Sequence, residues 1–175
     1  MSTLENIDKS LENLFKNAPK LPNNGKKFIV KYAPILSLIL GIITLLGAWS
    51  LWHWAHAANQ LINNINSINQ LYGNNIASVP IQRMSTLIWV TILISGIIAV
   101  LYLMSYAPLK AHKKSGWNLL FYIALINIVS GFISIFIDYG GGIFSFIEYL
   151  IGSAIGLYFL YQIKDMYKET HTSKK

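Results

Sequence analysis

Residues 117–163 read WNLLFYIALINIVSGFISIFI, then DYGGG, then IFSFIEYLIGSAIGLYFLYQI. An α-helix rises 1.5 Å per residue, so about 20 apolar residues cross the ~30 Å hydrocarbon core of a bilayer. Each of the two runs has that length. Backbone in hydrocarbon must bond to itself, so each run is helical. The acidic, glycine-rich turn between them is short enough to make the helices antiparallel neighbours. The stretch is therefore predicted to be a transmembrane helical hairpin, and the rest of the chain must be compatible with it.

Two earlier runs, about 33–54 and 86–106, have the same character. With 117–137 and 143–163 they give an all-α, four-helix transmembrane bundle over residues 28–163. Only 12% of the chain is charged, against about 25% in soluble domains. The net charge of +7 fits a nucleic-acid binder in number but not in placement. The cations flank the apolar runs, as orientation and anionic headgroups require, so nucleic acid is not expected as a partner. The chain has no cysteine. That excludes thiol redox chemistry, thiolate catalysis and cysteine-ligated metals. No cofactor is expected.

Residues 1–27 form a leading segment. Leu4, Ile7, Leu11 and Leu14 recur at helical spacing with Phe15 beside them, while Glu5, Asp8, Lys9, Glu12 and Lys16 take the other face. This predicts a short amphipathic helix resting on the membrane or on the bundle, or docking a partner. A linker broken by Pro19, Pro22 and Gly25 follows. Residues 1–27 are mostly polar and the next apolar run exceeds 20 residues, so that run is read as a span and not as a secretory signal. Ser37, Gly41, Thr44 and Ala48 form a small stripe on this first span, and Thr91, Ser95 and Ala99 form one on the second. Pro34 is expected near the first span's start, and Pro108 at the second span's end.

Trp49, Trp52 and Trp54 anchor the far end of the first span at the interface. Beyond them, residues 59–72 repeat Leu61, Ile65, Ile68 and Tyr72 on one face amid five asparagines. This predicts a second, separate helix lying in the outer interface, with Leu61, Ile65 and Ile68 buried. Residues 164–175 form a basic tail.

With four spans, the N-terminal segment, the loop 107–116 and the tail share one side. Thirteen of the fourteen Lys and Arg residues fall on that side, and only Arg83 falls on the other. The positive-inside rule then makes both termini cytoplasmic, with 57–85 and 138–142 outside.

The run LKAHKKSGWNLL at 109–120 carries a basic loop into Gly116-Trp117 and the third span. It resembles uncharacterised small four-span membrane proteins of bacteria, over about 109–164. The resemblance implies a four-span fold in a bacterial plasma membrane. It implies no activity.

Two sets of residues stand out. The first is polar: Glu148, the one acid within a span, with Asp138, His53 and His56 on the same side. A carboxylate in hydrocarbon faces the bundle or water and marks function by default. The group reads either as a proton- or cation-responsive site or as headgroup-level polar residues. His53 and His56 share a face, but a metal site needs further ligands, and none is predicted. The second set is small or weakly polar: Asn127, Gly131 and Ser134 on the third span, Gly152 and Gly156 on the fourth. Glycines spaced by four let helix backbones approach. Counting from the turn pairs Ser134 with Glu148 and Gly131 with Gly152. Asn127 is expected to hydrogen-bond across helices.

Nothing forms a Ser/His or HExxH arrangement, so no enzyme is predicted. Two function classes remain. One is a non-catalytic accessory, assembly or envelope interaction protein, with a membrane protein partner or a second copy of itself. The other is a small transporter or oligomeric channel using Glu148.

Overall fold

The computed structural model describes residues 3–71, 86–136 and 142–167. They form five helices: α1 (Thr3–Phe15), α2 (Asn23–Leu71), α3 (Thr86–Lys110), α4 (Lys114–Ser134) and α5 (Ile143–Gln162), with a closing 3-10 turn, Lys164–Met166. No strand occurs among the described residues. Four helices are long and apolar enough to cross a membrane: Asn23–Ile68, Ile88–Lys110, Lys114–Ser134 and Ile143–Gln162. The hairpin turn with Asp138, the connection 72–85 with Arg83, and the tail beyond 167 lie outside the described residues.

The predicted separate helix at 59–72 is corrected. α2 runs unbroken from Asn23 to Leu71, about 73 Å at 1.5 Å per residue. The sequence becomes polar after Trp54, but polarity does not break a helix. No glycine or proline lies between Gly47 and Gly73, and Ala55, Ala57 and Ala58 favour helix. The buried positions differ too. Ile62 is buried, whereas Leu61 and Ile68 are 61% and 45% exposed. Because α2 starts at Asn23, Pro34 lies well inside it, and the Ser37 hydroxyl donates to the Pro34 carbonyl at 2.8 Å.

α2 packs on α3, α3 on α4 and α4 on α5, while α2 and α5 make little direct contact. The α2 stripe does face α3. A Cβ on Gly41 would sit 2.9 Å from Leu103 Cδ2 and 3.1 Å from Tyr102 Cβ, so a side chain there would have to displace its α3 neighbours. α3 passes through Pro108 and ends at Lys110. His112 N–H then donates to Leu109 O and Lys113 N–H to Pro108 O. That bond pair is a Schellman motif, with His112 at φ 53° in the left-handed position. Gly116 fits against this turn because a Cβ there would meet the Leu109 backbone nitrogen at 2.6 Å.

The best-packed part of the molecule is the end carrying these basic residues. Val30, Leu109, Trp117, Phe121, Leu157, Leu160, Ile163 and Tyr167 form one buried cluster, and Ile7, Leu11 and Phe15 of α1 pack against it. Full burial of such a side chain from water stabilises by about 1.5–3 kcal/mol. Between helices in lipid that drive is absent, so it can act only where the chain meets water. Trp117 Nε1 donates to Leu160 O at 2.8 Å. Gln162 holds the linker by accepting from Leu21 N–H and donating to Pro19 O, both at 3.1 Å. Tyr161 and Lys164 reach back to Asp8, and Lys164 also pairs with Glu12 at 2.7 Å. Leu4 and Leu14 of the predicted α1 stripe stay exposed.

Candidate functional site

Because α2 and α5 lean apart, a groove of about 760 Å³ opens between them. α5 contributes Ser145, Glu148, Tyr149, Gly152, Ser153 and Gly156. α2 contributes Tyr32, Leu36, Ser37 and Leu40, and Asn127 of α4 lies at its back. Glu148 is exposed, so its carboxylate opens onto this groove.

A second cavity of about 270 Å³ lies between α2, α3, α4 and α5. Leu40, Tyr102, Asn127 and Tyr149 line both spaces, so the two adjoin. The second is rich in hydroxyls: Thr44, Thr91, Ser95, Ser130 and Ser134. Three of these commit their protons to their own helices. Thr44 donates to Leu40 O, Ser130 to Ile126 O and Ser134 to Gly131 O, at 2.7, 2.9 and 2.6 Å. A hydroxyl that has donated keeps acceptor lone pairs. These three therefore offer the cavity acceptors, a lining suited to water or a cation.

The predicted polar group does not assemble around Glu148. Asp138 is outside the described residues. His53 and His56 sit in an aromatic stack instead. His53 packs on Trp49 and Trp52, each at 4.9 Å, and His56 on Trp52 at 4.3 Å and on Trp89 of α3 at 5.1 Å. His56 Nδ1 also lies 3.1 Å from Trp52 O. Neither histidine lines a cavity that Glu148 lines. Among the described residues no three His, Cys, Asp or Glu side chains are placed to hold a metal.

The small-residue stripe divides. Gly131 makes a close contact, since a Cβ there would lie 2.6 Å from Tyr149 Cβ. Its partner is Tyr149 and not the predicted Gly152. Gly152 and Gly156 have nothing within 4 Å of a built Cβ, because α5 turns Ser153, Leu157 and Leu160 inward and leaves its glycines on the groove. Ser134 is buried but bonds its own helix rather than Glu148. Asn127 faces both cavities and makes no bond across to a neighbouring helix.

Sequence reasoning missed Tyr102 and Tyr149, which join the two cavities. The available signal is weak: Tyr149 is the residue after Glu148, and Tyr102 stands near the end of an apolar run, where tyrosines commonly mark the interface. It also missed the contacts of Lys164, Tyr161 and Gln162, which pair residues more than 140 positions apart.

No protein family, curated protein or solved structure matches the chain.

Proposed function

We propose that this is a non-catalytic integral membrane protein of a bacterial plasma membrane, with both termini cytoplasmic, that receives a partner's transmembrane helix. The groove between α2 and α5 carries the proposal. It is long, mostly apolar and open to the side, and Gly152 and Gly156 stand on it with their Cα atoms uncovered. Bare glycines one turn apart let a second helix backbone approach closely, which is how helices associate where lipid supplies no hydrophobic drive. Orientation rests on the thirteen cations gathered on one side.

The test is a photocrosslinking residue placed at Gly152, in the groove, or at Ile151, which is exposed but outside it. In native membranes Gly152 should give a discrete protein adduct and Ile151 none. An adduct of twice the chain mass identifies a second copy as the occupant. Equal yields from both positions, or lipid adducts alone, contradict the proposal.

A second reading is a small transporter or oligomeric channel using Glu148 as a proton- or cation-responsive site. One observation favours it: the groove that holds Glu148 adjoins the hydroxyl-lined cavity through Asn127. In proteoliposomes that reading requires a cation flux that Glu148→Gln removes. Absence of flux in the wild type rules it out.

A further inference from the structure

A third space, of about 440 Å³, lies at the basic end on another face of α2. Lys27 and Lys31, one turn apart on α2, border it with Lys110 from the end of α3 and His112 from the turn that follows. Val30, Pro34 and Met166 complete the lining. No carboxylate lines it, and none pairs with Lys27, Lys31 or Lys110 among the described residues. Asp8 and Glu12 are committed to Lys164. Lys31 and Lys110 rest on the rings of Tyr32 and Tyr106, at 5.3 and 5.9 Å, which leaves their charge in place.

Like charges gathered around one space repel, and an anion relieves that repulsion. His112, at φ 53° in the turn after α3, places its imidazole at the rim. Depth narrows the ligand further. Lys110 lies one turn beyond Tyr106, and Lys27 and Lys31 just precede the apolar length of α2, so the space sits at headgroup level. Farther along the same face of α2, Ile42 and Leu45 are exposed and offer acyl chains a surface.

We propose that Lys27, Lys31, Lys110 and His112 bind the phosphate headgroup of an anionic phospholipid. Basic recesses between transmembrane helices suit such headgroups. The site needs the helices to cross the bilayer but is independent of what occupies the groove.

The test is native mass spectrometry of the detergent-purified chain with phosphatidylglycerol, phosphatidylcholine of matched acyl chains, or inorganic phosphate. The wild type should retain phosphatidylglycerol about tenfold more strongly than phosphatidylcholine. The triple variant K27Q/K31Q/K110Q should lose most of that preference. K9Q/K16Q/K20Q, with the same change in charge elsewhere, should keep it. In the wild type, rising ionic strength should weaken phosphatidylglycerol retention, a readout that needs no variant to fold. Equal retention of both lipids, equal losses in the two triple variants, or displacement of lipid by inorganic phosphate would overturn the proposal.

Discussion

Gly131 and Gly152, which sequence depth-matching sets opposite each other, have contrary surroundings. Gly131 admits Tyr149 so closely that an added Cβ would lie 2.6 Å from that side chain's own Cβ, while Gly152 faces open space. Gly131→Ala should therefore push α4 and α5 apart and destabilise the protein by about 1–3 kcal/mol, as overpacking does. Gly152→Leu should shift stability by only about 0.5 kcal/mol. Thermal unfolding of both in one detergent checks this, and equal losses would contradict the helix rotation described above. Gly131 was legible as a contact residue because a glycine amid bulky neighbours marks a close approach. The rotation of α5 was not legible. Its lipid-facing and helix-facing sides are both apolar, so hydropathy carries no phase, and two inward faces, 152/156 and 153/157/160, fit the letters equally well.

At the scale of elements, α1 tests whether a charged clamp holds a water-exposed helix to the bundle. Lys164 Nζ reaches Asp8 Oδ2 at 2.9 Å and Glu12 Oε2 at 2.7 Å. Phe15 stacks on Tyr161, whose hydroxyl donates to Asp8. Lys164→Met should release α1 at a cost of about 1–2 kcal/mol, between the values for exposed and buried pairs. Faster hydrogen exchange over Thr3–Phe15 would report the release, and unchanged exchange would show that apolar packing alone suffices. Burial pushes the Lys164 pKa down, but its bonds to Glu12 and Asp8 outweigh that and leave it above the ordinary 10.5. A group whose folded pKa is raised contributes fully below its unfolded value and loses that contribution as pH passes the folded one. Docking through Lys164 should thus be constant across neutral pH and weaken only above about 10.5. The α1 helix was legible from its spacing. Its partners were not, because Asp8 and Lys164 meet only once the bundle brings the two ends of the chain together. α2 outruns its apolar length because the change of polarity after Trp54 brings no breaking residue with it.

For the whole molecule, the spans were the most legible feature, because bilayer thickness acts on sequence directly. The open groove was not, since it depends on how four nearly uniform apolar helices lean. Lys27, Lys31, Lys110 and His112 border one space, so the first span's start and the α3–α4 turn share an end of the molecule. The far end of α2, with Ser67, projects the other way. Ser67 lies 13 residues beyond Trp54, about 20 Å of helix past the aromatic anchor. The chain has no cysteine, and Ser67 and Ser115 are both exposed, so each can carry a single introduced thiol. An impermeant maleimide applied to intact cells should label Ser67→Cys at once and Ser115→Cys only after the membrane is opened. Labelling of both from the same side would contradict the four-span account.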